Sequence, residues 1–102
     1  MSAKYEIEKV LVLSTAHITK TDNTILLRNK RSRNPDKLTV YHYEYGYSIY
    51  VGDVTDRIRE ASENGLSKEF QALLKLAHSL KCKYLDLDCD GLVMDNLPQF
   101  SW

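Results

Sequence analysis

Four aspartates whose carboxylates could hold a cation lie close together near the end of the 102-residue chain: Asp86, Asp88, Asp90 and Asp95. The stretch Asp86-x-Asp88-x-Asp90-Gly91 is similar to the opening of a calcium-binding loop, in which alternate carboxylates point at one ion. Leu97 replaces the glutamate that closes such a loop, and the first two aspartates fall within a predicted strand. We therefore expect these acids to line the solvent side of a strand and a turn, with no metal or cofactor.

The alternative for these aspartates is a catalytic site. A phosphoesterase that uses Mg²⁺ or Mn²⁺ would place several carboxylates around the ion, beside a base and groups that bind phosphate. His17, His42 and Lys83 are of suitable type, but their spacing does not place them beside the aspartates. We therefore favour a binding function over the enzyme hypothesis.

Ser14, Thr15 and His17 form a second group of reactive residue types, directly after an apolar run. Serine and histidine are two members of a nucleophilic triad. No glycine flanks Ser14, so the sharp turn that presents the serine of α/β-hydrolases is missing. We predict that Ser14 and Thr15 bond backbone groups at the start of a helix, and that His17 caps or packs there.

Five of the seven tyrosines fall between residues 41 and 50, and a basic segment over residues 28–37 precedes them. Aromatic residues on an open sheet face are typical of protein interfaces, and they also stack on bases in RNA-recognition domains. The aromatic-glycine consensus of those domains is missing. We predict a protein-binding surface made of Tyr41, Tyr43, Tyr45, Tyr47, Arg31 and Arg33. Single-stranded nucleic-acid binding by the same residues is the alternative.

The elements that must position these residues follow from hydrophobic periodicity and capping signals. The patterns predict strands over residues 5–14, 38–45, 47–51 and 84–88, and helices over residues 20–30, 55–62 and 68–81. Gly46 is the predicted turn of the hairpin. This order indicates a two-layer α+β sandwich, a ferredoxin-like βαββαβ fold or a close variant. We expect the apolar C-terminal tail to pack on the sheet.

The size of the chain predicts one domain over residues 1–102. Its formal net charge is zero, so no overall field attracts it to nucleic acid or to a membrane. The start of the chain lacks the apolar core of a signal peptide. The two cysteines flank one predicted strand, and their odd spacing should point their side chains to opposite faces. We therefore expect a reduced, cytoplasmic protein without membrane contact, either a monomer or a homodimer.

Three blocks of the chain carry a resemblance: residues 13–19 (LSTAHIT), 45–51 (YGYSIYV), and 87–91 with 95–102 (LDCDG and DNLPQFSW). They resemble a functionally uncharacterised family of small proteins carried on bacterial plasmids, phages and conjugative elements. The resemblance implies a cytoplasmic accessory protein of a mobile element and brings no catalytic residues. Analogy with such proteins suggests docking on a protein partner, of which inhibition of a host defence system is one form. The positions that match the family pattern are Ser14, Thr15, His17, Asp88, Asp90, Gly91 and Trp102.

Overall fold

The computed structural model describes residue 5 and residues 7–28 and 40–102. Within these residues it has four strands and three α-helices: β1 (Val10–Ser14), α1 (Lys20–Arg28), β2 (Val40–Tyr43), β3 (Gly46–Tyr50), α2 (Val54–Glu63), α3 (Lys68–Ser79) and β4 (Tyr84–Asp88). A short 3-10 turn, Thr15–His17, joins β1 to α1. The predicted elements are therefore present, although β1 begins at Val10 rather than at Tyr5.

The four strands form one sheet in the order β1-β4-β3-β2. β4 pairs parallel with β1 and antiparallel with β3, and β3 pairs antiparallel with β2. The α+β class is confirmed, but the strand order differs from a ferredoxin-like sheet, in which all neighbours are antiparallel. The reason is that two helices, α2 and α3, lie between β3 and β4. The chain therefore returns to the end of the sheet where β3 finishes, and Val51 N donates to Lys83 O at 2.8 Å.

The hairpin turn is Glu44–Tyr45 rather than Gly46, because Tyr43 pairs directly with Gly46. Gly46 is the first residue of β3, and a Cβ atom there would lie 1.8 Å from the carbonyl oxygen of Leu87 in β4. Glycine is therefore needed for the close approach of two strands and not for the turn. Because two residues form the turn, Tyr43 and Gly46 lie on the same face of the sheet. Odd-numbered residues of β2 and odd-numbered residues of β3 therefore face opposite sides.

One face of the sheet is covered by the helices. Its strand residues, among them Leu13, Val40, Ile49, Leu85 and Leu87, join the helical core residues Leu26, Phe70, Leu73 and Leu74 in one buried cluster. Both predicted N-caps are present. Thr19 and Asp22 exchange hydrogen bonds at the start of α1, and the Ser67 hydroxyl accepts from Phe70 N at the start of α3.

The opposite face, which we call the open face, has no described helix on it. Alternation and register place on it Val10, Val12, Tyr41, Tyr43, Ser48, Tyr50, Tyr84, Asp86 and Asp88. The C-terminal tail meets the sheet at its β1 edge, where Ser14 N donates to Leu92 O at 3.0 Å, and a cavity of about 220 Å³ lies between β1, α3 and the tail. Met94 and Leu97 pack against the core there.

No helix among the described residues is long and apolar enough to cross a membrane. Cys82 and Cys89 are both free thiols, and they lie just before and just after β4.

Candidate functional site

The seven positions of the sequence pattern converge at one end of the sheet, where the parallel strands β1 and β4 finish. Ser14 pairs with Asp88 in the last register position of these strands. Thr15 and His17 continue from β1, while Asp90 and Gly91 continue from β4. In parallel α/β sheets the carboxyl ends of the strands are the usual place for binding sites. This convergence makes that end of the molecule the first candidate site.

His17 holds the C-terminal tail in place. Its ring is buried, and backbone groups of the tail occupy both nitrogens: Nδ1 lies 2.7 Å from Pro98 O, and Nε2 accepts from Met94 N at 2.9 Å. A carbonyl oxygen only accepts and an amide N–H only donates, so the proton of the neutral ring is on Nδ1. The His17 ring therefore holds the tail against the segment after β1, and its nitrogens are not available to activate a nucleophile.

Ser14, Gly91 and Trp102 also have structural contacts. Ser14 Oγ accepts from Ala16 N at 3.0 Å, as predicted for a backbone cap. A Cβ atom on Gly91 would lie 2.6 Å from the carbonyl oxygen of Leu13, so the chain after β4 requires glycine to pass β1. Trp102 Nε1 donates to Ile18 O at 2.9 Å while about half of the residue stays exposed.

Asp88 is fixed by two hydrogen bonds. Tyr43 donates its hydroxyl to Oδ2 at 2.9 Å, and Asp90 N donates to Oδ1 at 2.8 Å. The pKa of Tyr43 is raised well above its ordinary value, first by burial of the hydroxyl and then by the hydrogen bond to Asp88. The negative charges of Asp88 and Asp86 act in the same direction. Tyr43 is therefore a hydrogen-bond donor throughout the neutral range.

The four aspartates do not form one centre. Among the described residues, side-chain atoms of Asp88, Cys89 and Asp90 lie within 4.8 Å of one another, a spacing compatible with a cation. Asp86 lies on the open face two residues earlier in β4, and Asp95 lies in the tail, so neither belongs to this group. Two carboxylates and a thiol are fewer hard ligands than Mg²⁺ or Ca²⁺ normally takes.

The predicted tyrosine surface is divided between different parts of the molecule. Tyr41 and Tyr43 lie on the open face, and Tyr45 is exposed in the hairpin turn. Tyr47 faces the helices instead, is buried, and donates its hydroxyl to Asn23. Arg31 and Arg33 lie outside the described residues.

A cleft of about 400 Å³ opens between the hairpin turn and the C-terminal residue. We call it the Trp102 cleft; its lining includes Thr15, Tyr43, Glu44, Tyr45, Cys89 and Trp102. A second cleft of about 370 Å³ shares Thr15, Cys89 and Trp102 with it. Glu44 and Cys89 were missed as site residues, because only the two-residue turn and the convergence of β1 with β4 bring them beside Trp102.

Comparison with known proteins gives one match. The model of a family of unknown function (DUF5983), C-terminal domain, matches residues 10–102. No curated protein and no solved structure matches the chain.

Proposed function

We propose that this chain, which belongs to the family of unknown function DUF5983, C-terminal domain, is a non-enzymatic accessory protein of a phage or plasmid, as the resemblance of its three sequence blocks implies. It acts in the cytoplasm by binding a protein partner through the open face of its sheet. Inhibition of a host defence system is the form of this function that the proposal favours, since small inhibitors work by covering a surface of their target.

The composition of the open face is the main support for a protein-binding function. Val10 and Val12, on the edge strand β1, are 43% and 46% exposed, and Tyr41 and Tyr43, on the opposite edge strand β2, are 51% and 38% exposed. Asp86 and Ser48 separate these two groups, so the face has exposed apolar and aromatic side chains at both edges and polar ones between them. Exposed tyrosines of this kind are typical of interfaces. Tyrosine adds large contact area at a low entropic cost, which suits it to recognition.

The charge of the open face indicates the kind of partner. Asp86 and Asp88 are its only charged strand residues within the described strands, and no lysine or arginine shares these positions. Arg57 and Lys83 approach the face only at its other end, over the rings of Tyr50 and Tyr84. The end that carries Asp88 therefore suits a basic protein surface. The same carboxylates repel phosphates, which disfavours single-stranded nucleic acid as the ligand.

Affinity capture from host cells tests the proposal with two matched variants. Val12→Lys introduces a long cationic side chain at the β1 edge of the open face, whereas Ala72→Lys places the same side chain on the exposed surface of α3. We expect Val12→Lys to lose at least about tenfold in partner recovery, because a buried interface charge is costly. Ala72→Lys should capture as the wild type does. Equal recovery by the two variants would contradict the proposal.

A phosphoesterase that uses Mg²⁺ or Mn²⁺ is the second candidate, favoured by the proximity of Asp88, Cys89 and Asp90. A bound ion would raise the melting temperature by mass action. Titration with either ion should therefore give a melting shift that Asp90→Asn removes if the enzyme hypothesis holds. The binding proposal expects no difference between the wild type and this variant.

A further inference from the structure

We propose that the Trp102 cleft receives the guanidinium group of an arginine side chain from the protein partner. This inference rests on the proposed binding function and identifies the chemistry of one contact within it. Three features of the described residues carry it: the aromatic lining of the cleft, its charge, and its position beside the open face.

Three exposed aromatic side chains line the cleft. Trp102, Tyr43 and Tyr45 all line it, and about half of Trp102 and of Tyr45 is exposed. A guanidinium ion is planar and weakly hydrated, and it stacks on aromatic rings more readily than an ammonium ion does. Tryptophan is the strongest partner for such a cation among the aromatic side chains.

Among the described residues that line the cleft, Glu44 is the one carboxylate, and the histidine of the lining, His42, bonds Leu26 O through its Nε2. Glu44 lines the cleft, and Cys89 in its wall is flanked by Asp88 and Asp90. No described lysine or arginine lines either this cleft or the one that adjoins it. A carboxylate pairs with two N–H groups of a guanidinium at once, which adds direction to the charge attraction. An anionic or purely apolar ligand would leave Glu44 without a complementary group.

The position of the cleft links it to the open face. Tyr43 belongs to both, because its ring lies on the face while it also lines the cleft. A partner seated on the open face would therefore reach the cleft with a single long side chain. The hydrogen bond from Tyr43 to Asp88 holds the shared wall in place.

Trp102 is the only tryptophan of the chain, so its fluorescence reports on the cleft directly. The test titrates the protein with N-acetyl-arginine methylamide at constant ionic strength. The same blocked derivatives of citrulline and lysine serve as comparisons, citrulline being the uncharged isostere of arginine. We expect a saturable change with arginine, a weaker one with lysine, and none with citrulline.

Variants locate the response. Glu44→Gln and Tyr45→Ala should each weaken arginine binding by about two- to fivefold, since each removes one exposed contact. Glu63→Gln, an exposed carboxylate on α2, and Tyr5→Ala, an exposed tyrosine outside the cleft, should leave it unchanged. An equal response to arginine and citrulline, no response to arginine, or an arginine response that none of these substitutions alters would overturn the inference.

The two proposals fail separately. Val12→Lys should lower partner capture by at least about tenfold and leave the arginine titration intact, because Val12 does not line the cleft. Capture that depends on Val12 without any arginine response would refute the cleft assignment alone. An arginine response without capture that depends on Val12 would refute the open-face proposal instead.

Discussion

At the scale of single residues, the carboxylate of Asp22 joins the N-terminal ends of two helices. It accepts hydrogen bonds from Thr19 N at the start of α1, and from both Ser67 N and Ser67 Oγ at the start of α3. The residue is fully buried. Helix N-termini present unpaired N–H groups and positive partial charge, so one carboxylate satisfies both ends. The capping pattern predicted the contact within α1, whereas the contact with Ser67 spans 45 positions and left no local signal.

We expect Asp22→Ala to lower the free energy of unfolding by about 3 kcal/mol, because the buried donors at both helix ends lose their acceptor. Asp53→Ala is the matched control, since Asp53 caps α2 alone and is exposed. It should cost about 1 kcal/mol. Urea unfolding of the two variants measures the difference. Equal losses would show that Asp22 does not join the two helices.

Tyr43 gives a prediction about pH. Its folded pKa lies above the ordinary value because of burial, the hydrogen bond to Asp88 and nearby negative charge. A raised folded pKa means that the contribution of this group to stability is complete below about pH 10. It is lost as the pH rises from there toward the folded pKa, since the unfolded chain releases the proton first.

Absorbance titration of the tyrosinates measures this effect. We expect Asp88→Asn to bring the pKa of Tyr43 down toward its ordinary value, and Tyr43→Phe to remove one late-titrating group. Tyr41→Phe is the control, because it changes a tyrosine of the same strand that is not the donor to Asp88. An unchanged late phase in Asp88→Asn would contradict the contact between Tyr43 and Asp88.

At the scale of elements, the C-terminal tail is held by contacts with the segment after β1. Ser14 N donates to Leu92 O at 3.0 Å, Phe100 N donates to Ala16 O at 2.8 Å, and the His17 ring bonds Met94 and Pro98. These contacts are mostly backbone groups. The apolar side chains of the tail predicted that it packs, but they did not predict the location, because an unpaired backbone edge has no sequence pattern.

Removal of the His17 ring should release the tail. We expect His17→Ala to lower the free energy of unfolding by about 2 kcal/mol, since Met94 N and Pro98 O lose their partner. Amide exchange at Met94 should become faster. His78→Ala, a histidine exposed at the end of α3, should change stability by less than about 0.5 kcal/mol. Unchanged protection of the Met94 amide in His17→Ala would show that the His17 ring does not hold the tail.

The strands show what hydrophobic periodicity can predict and what it cannot. Alternation predicted the strands and divided their residues between two faces, but it placed Tyr47 with Tyr41 and Tyr43. The position of the turn decides this assignment. With Glu44–Tyr45 as a two-residue turn, Tyr43 faces Gly46, and Tyr47 joins Ile49 on the covered side. Gly46 was a misleading turn signal, because its small size serves the contact with Leu87 O.

At the scale of the whole molecule, the sheet has helices on one side only among the described residues. Because two helices, α2 and α3, connect β3 to β4, β4 runs parallel to β1. It lies between β1 and β3 in the sheet. The sequence pattern indicated the α+β class, since that depends on local periodicity. The strand order depends on contacts between distant residues and could not be predicted in the same way.

The parallel pair of β1 and β4 explains why the pattern residues converge. Both strands end at the same edge of the sheet, so the residues that follow them meet around the Trp102 cleft. The open face and the cleft then share Tyr43 as a common wall. A partner bound to this part of the molecule would contact apolar, aromatic and acidic groups together.

Site-specific photocrosslinking in host cells tests whether the partner lies on the open face. A photoreactive phenylalanine replaces Tyr41 on the open face in one variant and Ala72 on the exposed surface of α3 in another. We expect the probe at position 41 to crosslink to one protein with a basic surface and the probe at position 72 to give no such crosslink. Crosslinking of the same partner from position 72, with none from position 41, would contradict it.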